Sequence, residues 1–183
     1  MSFRIETEKL DDCTLLIRPI GAISGDSDLS ALIPKSSARI ILDLANISRI
    51  DSLGVREWIR AMQSSGDSQT IVWERVSPAM SSQVGMITNF VGRGSVASFI
   101  LPWWCQACGN EHTTDVEAQA LKSSGLESPE CPKCGATMTL DELDEGYIDA
   151  LLEHAPRVGV RSLERNDDQQ DERTPPMRRH SDE

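Results

Sequence analysis

The sequence predicts an α/β fold: a mixed sheet with helices, a small cysteine-built appendage and a disordered C-terminal tail. Three observations carry this expectation. Residues 38–62 join a short apolar strand to an amphipathic helix, strand-like and helix-like segments alternate over residues 13–101, and two Cys-x-x-Cys-Gly motifs follow. Such alternation implies layers of helices on a sheet that is at least partly parallel.

In chain order, Cys13 to Ile17 and then Ile20-Gly21-Ala22-Ile23 read as two short strands around a turn. Cys13 reads as a small apolar side chain buried in the first of them. Asp26 to Leu32 should cap and begin a first short helix. Ile40, Ile41, Leu42 and Leu44 form a β-favouring run of the kind found in strands covered on both faces. Val55, Trp58, Ile59 and Met62 recur at i, i+3, i+4 and i+7, striping one face of a helix. Asp51-Ser52-Leu53-Gly54 stands at the entrance of that helix. There a short oxygen-bearing side chain accepts hydrogen bonds from N–H groups that have no partner inside the helix.

Thr70 to Trp73 reads as another strand, and Ser77-Pro78 as a helix start with Ser as cap and Pro in the first position. The stripe Met80, Val84, Ile87 and Val91 should run to a stop at Gly92 and Gly94, before a last apolar strand over Ser95 to Leu101. Leu143, Tyr147, Ile148, Leu151 and Leu152 give residues 144–154 an apolar helical face that must pack on something.

The strand IILDL, ending near Asp43, the turn Asp51-Ser52-Leu53-Gly54 and the helix behind it resemble the STAS family, the sulfate transporter and anti-sigma factor antagonist domains. The resemblance covers roughly residues 3 to 102 and implies a STAS-type mixed sheet. In the antagonist branch the Ser after that Asp is phosphorylated by a partner kinase that is also the anti-sigma factor. Ser52 occupies that position, as a phospho-acceptor candidate or as a plain helix cap. Antagonists often carry a second Ser where this chain has Leu53. STAS domains end with a helix behind their last strand, so the resemblance implies a STAS domain over 1–102 and a ribbon over 103–140 inserted before a helix at 141–155. Trp103 and Trp104 lie at the join, for packing or for stacking on a ligand.

Cys105-Gln106-Ala107-Cys108-Gly109 and Cys131-Pro132-Lys133-Cys134-Gly135 have the form of two zinc knuckles. Two-residue spacing lets both sulfurs of a knuckle face one ion, and the Gly permits the turn that points amides at the thiolates. Four thiolates make a closed tetrahedral site without an open position for activated water, so one structural zinc is expected. His112 could substitute as a ligand or be a plain surface residue.

The chain carries a formal net charge of −11. Residues 105–154 hold two lysines against eleven carboxylates, a net −9, whereas residues 1–104 hold ten basic and eleven acidic side chains, a net −1. A ribbon so acidic repels DNA and RNA; its charge serves solubility or contact with a basic protein. No stretch approaches the 18 or more apolar residues of a membrane span, and the charges of Met1 to Leu10 do not suit a signal peptide. A cytoplasmic protein with free or metal-bound thiols is expected. Residues 156–183, with Asn166 to Glu172 and Pro175-Pro176, should be disordered, and Arg178-Arg179-His180-Ser181 could be read by a kinase.

There is no Gly-rich phosphate loop and no His beside a nucleophile, which argues against an enzyme. Two readings follow from the resemblance. One is a regulatory module that binds an anti-sigma factor or serine kinase, switched by phosphorylation of Ser52. The other is a STAS subunit of a different assembly, such as a lipid-transport ATPase or a chemosensory complex, with the ribbon as docking surface.

Overall fold

The computed structural model describes residues 3–141 and 146–156. The elements are β1 (Arg4–Lys9), β2 (Thr14–Ile23), β3 (Arg39–Asp43), β4 (Ile47–Ile50), α1 (Ser52–Gln63), β5 (Thr70–Glu74), α2 (Pro78–Met86) and β6 (Ser95–Val96). They continue with β7 (Ser98–Trp104), β8 (Glu111–Glu117), α3 (Ala118–Ser124), β9 (Thr139–Leu140) and α4 (Gly146–Glu153). The main sheet has the order β1-β2-β3-β5-β6, with β4 also on β2. Only β1 runs antiparallel to its neighbour, so the sheet is mixed, as expected. A second, antiparallel sheet has the order β8-β7-β9. No helix among the described residues is long and apolar enough to cross a membrane.

The expected stripe of α1 does bury Trp58 and Met62, with Val55 and Ile59 at its margins. Trp58 meets Trp73 of β5 edge-on, at 5.3 Å between ring centroids, and stacks on Phe90 at 6.0 Å. The Trp58 indole N–H donates to the Phe90 carbonyl at 3.2 Å, so the largest side chain of the helix is buried without an orphaned donor. The core is continuous from this cluster through Val76, Phe99 and Leu101 to Trp103, Cys105 and Cys131.

Several expectations are corrected. Residues 14–23 form one strand, not two around a turn: β2 leaves β3 after Ile17 and takes up β4 from Gly21. Pro19, which has no N–H to donate, falls where the partner changes. Cys13 is exposed. It sits in a turn whose N–H groups, those of Cys13 and Thr14, donate to Asp11 Oδ1 at 2.7 and 2.8 Å, and this holds it outside the strand. Residues 26–32 form turns and bends instead of a helix, although Leu29 and Leu32 are buried. Ser27 Oγ accepts from Ser24 N and Asp28 Oδ1 from Ser30 N, so short polar side chains take up the backbone donors that a helix would use.

Helix α2 stops at Met86, before the end of its expected stripe, and Ile87 turns extended at φ −124°. Asn89 then takes a left-handed φ of 63°. The expected strand over 95–101 divides at Ala97. Its first part is the edge of the main sheet, and its second crosses into the other sheet and reaches Trp104, so residue 102 lies inside β7. Helix α4 returns to pack on α2, where a Cβ on Gly85 would stand 3.6 Å from the Tyr147 Cα. The His154 carbonyl beyond α4 accepts from Val96 N of β6 at 2.8 Å. Leu143, the predicted start of that apolar face, and the predicted disordered tail from 157 onward lie outside the described residues.

Candidate functional site

The four cysteines come together from two elements of similar build. The first knuckle closes the β7–β8 hairpin, and the second precedes β9, which pairs with β7 at Trp103 and Trp104. In both, the N–H four residues after the first cysteine donates back to it: Gly109 N to Cys105 O at 2.8 Å, and Gly135 N to Cys131 O at 2.9 Å. In both, the first cysteine's own N–H donates to the residue five later, Asn110 or Ala136. Gly109 and Gly135 take φ of 67° and 75°, the left-handed region where a Cβ is costly. The two loops therefore present their sulfurs in nearly the same way.

The four sulfurs lie within 4.8 Å of one another. Cys105 Sγ stands 3.5 Å from Cys134 Sγ, and Cys108 Sγ 3.6 Å from Cys131 Sγ. A tetrahedral ion with metal–sulfur bonds of about 2.3 Å sets its sulfurs about 3.8 Å apart, so one metal ion fits. Burial, with help from the neighbouring thiols, pushes Cys108 up to about 12. Burial acts against ionisation at Cys131 too, yet the Lys133 and Cys134 amides and the Cys108 and Cys105 thiols bring it down to about 7. A bound dication would supply the positive charge that four clustered thiolates need. His112, in β8 opposite Trp103, is not among the clustered donors. Trp103 is buried, with its indole N–H donating to Thr114 Oγ1 at 2.8 Å, while Trp104 keeps 38 % of its surface exposed.

The second place of interest is the entrance of α1. Asp51 is the N-cap, and its Oδ1 accepts from Gly54 N at 2.8 Å. Ser52 is the first helical residue, so the cap reading of Ser52 is corrected. Its hydroxyl is exposed and makes no hydrogen bond among the described residues. Beside it Leu53 is 55 % exposed. A Cβ on Gly54 would stand 2.5 Å from the Ile23 carbonyl oxygen, so only glycine lets α1 start this close to the end of β2.

One constellation is not foreshadowed by any motif. Glu6 pairs with Arg18 across β1 and β2, Asp43 pairs with Glu74 across β3 and β5, and Arg18 stands one residue past the last β2–β3 pair, Ile17 with Leu42. Asp43 and Glu74 are each 3 % exposed. Arg75 clasps Asp43 with two nitrogens, Nε on Oδ1 at 3.0 Å and Nη2 on Oδ2, and Arg18 Nε stands 3.7 Å from Oδ2. Arg75 has a left-handed φ of 47°, and its N–H donates to Ser98 Oγ at 2.9 Å. Burial alone would lower its pKa, but Asp43, Asp115 and Glu74 raise it above the usual guanidinium value. The signal for this cluster was a charge closing each apolar run, in IILD and in IVWER. The chain matches no protein-family model, no curated protein and no solved structure.

Proposed function

We propose that this chain is a non-enzymatic regulatory binding module of STAS type, similar to anti-sigma factor antagonists, whose protein partner reads the entrance of α1 and is switched by phosphorylation of Ser52. The observation that carries this reading is the division of labour at 51–52: Asp51 does the capping, which leaves the Ser52 hydroxyl exposed on a helix N-terminus beside the exposed Leu53. A phosphate on Ser52 would add about −1.5 to −2 charges at the positive end of the helix dipole, altering the docking surface without disturbing the core. The partner class is an anti-sigma factor or serine kinase. Cys105, Cys108, Cys131 and Cys134 would hold one zinc ion, because four thiolates at tetrahedral spacing suit a closed structural site.

Because Ser52 is not the cap, the test is clean. Ser52→Ala and Ser52→Asp should both unfold within about 0.5 kcal/mol of the parent, as exposed substitutions away from caps do, while Asp51→Ala should cost about 1 kcal/mol. Pull-downs with the two Ser52 variants should recover the partner with Ala and lose it with Asp. Equal recovery by both, with no phosphate on Ser52 from cells, would sink the switch.

The −9 of residues 105–154 favours one further reading, in which the ribbon docks on a basic protein surface as a subunit of another assembly. On either reading, titration with duplex DNA or RNA at physiological salt should show no binding. Micromolar, salt-sensitive binding would return the ribbon to a nucleic-acid role.

A further inference from the structure

Of the four tryptophans, Trp58 and Trp73 are fully buried and Trp103 nearly so, whereas Trp104 stands open to solvent. Side chains alternate along β7, so with Trp103 turned into the core Trp104 points outward, on the side of the half-buried Pro102 and Ile100. Residues directly opposite one another in antiparallel strands share a face, which sets Glu111 of β8 and Thr139 of β9 on the two sides of Trp104. Asp141, whose N–H donates to the Pro102 carbonyl at 3.0 Å, continues β9 on that face. Trp104, Glu111, Thr139, Leu140 and Asp141 line an open cleft of about 450 Å³. The turn of the first knuckle backs the ring, since a Cβ on Gly109 would stand 3.5 Å from it. Neither Glu111 nor Asp141 has an ion-pair partner among the described residues, whereas Asp115, farther along the face, acts on Arg75.

We infer that this face is where the ribbon meets a basic protein, with an arginine of the partner stacked on Trp104 between Glu111 and Asp141; the inference rests on the reading in which the ribbon docks on a basic protein surface. The −9 of residues 105–154 attracts cations to the ribbon as a whole and selects no spot on it. The ring does select one. An aromatic face draws a cation onto itself, and the carboxylates at its sides supply acceptors for the N–H groups at the cation's edge. A guanidinium is planar, stacks on the ring and grips a carboxylate with two donors, so arginine suits the cleft better than lysine. Backed by the knuckle, the ring gives up little freedom when the partner arrives, which keeps the cost of docking low.

Calorimetric titration of the full chain with a heptapeptide of alternating glycine and arginine tests this, beside its lysine counterpart. The arginine peptide should bind at least about threefold tighter than the lysine peptide of equal charge. It should also shield the protein from acrylamide quenching, because Trp104 is the open tryptophan. Trp104→Ala should weaken binding about fivefold. Glu111→Gln with Asp141→Asn should do the same, and this pair leaves the ring and its packing on Gly109 in place should Trp104→Ala loosen the knuckle. Glu127→Gln with Glu153→Gln removes equal charge from exposed positions outside the cleft and should leave the affinity within about twofold of the parent. Equal affinity for the two peptides, full affinity in either cleft variant, or an equal loss in the Glu127 and Glu153 pair would overturn this site while leaving the ribbon's attraction for basic proteins intact. Failure of the parent chain to bind the arginine peptide at all would overturn both.

Discussion

Stripping the metal is expected to loosen the main domain as well as the ribbon. Cys105 and Cys131 are 0 % and 3 % exposed and belong to the same apolar cluster as Phe99, Leu101, Val76 and Met80. Strand β7 carries the first ligand directly out of that cluster. Apparent binding free energies of structural zinc in small modules are on the order of 10 to 16 kcal/mol at neutral pH, comparable with the whole stability of a domain. If the four cysteines hold the proposed zinc, chelation or Cys108→Ser should therefore abolish one equivalent of it and lower the midpoint of the main unfolding transition. Hydrogen exchange should rise at Phe99 and Leu101 as well as at 105–140. Zinc content unchanged in Cys108→Ser would refute the ligand set. Faster exchange confined to 105–140 would refute the coupling to the core.

The second large effect is expected at Asp43. Its carboxylate is nearly sealed, at 4 % side-chain exposure, and holds Arg75 and Arg18, which keep 25 % and 31 %. Removing one partner of a buried ion pair leaves the other charge uncompensated and commonly costs about 3 to 5 kcal/mol; the partial exposure of both arginines places Asp43→Ala near about 3 kcal/mol. Arg75→Met should also destabilise, since it takes the closer of its two arginines from the more deeply buried carboxylate. The double variant should cost clearly less than the two single costs added together, with a coupling of at least about 0.5 kcal/mol. Denaturant unfolding of the four proteins measures this, and strictly additive costs would show that the contact contributes nothing.

The local sequence determined the parts whose causes lie within a few residues of one another. The stripe Val55, Trp58, Ile59, Met62 and the apolar run before it specify α1 and β3, because helical and extended periods are set by neighbours along the chain. The two knuckles were legible for the same reason: a Cys-x-x-Cys-Gly turn orients both sulfurs from a single loop, and its glycines show the left-handed φ that the turn needs.

Tertiary structure alone decided the features that depend on distant partners. Whether Asp51 or Ser52 caps α1 turned on how the helix start sits against Ile23 at the end of β2, where Asp51 N donates to the Ile23 carbonyl. The apolar run over 95–104 offers no local reason to break at Ala97; it breaks because Ser95 and Val96 pair with β5 while Ser98 to Trp104 pair with β8. Likewise Arg18, Asp43 and Glu74, far apart in the chain, become charged neighbours only because β3 and β5 pair Asp43 with Glu74 and β2 runs beside β3 as far as Ile17, which leaves Arg18 3.7 Å from the Asp43 carboxylate. Register is a non-local quantity, set by which faces can be buried together, and no window of neighbouring residues contains it.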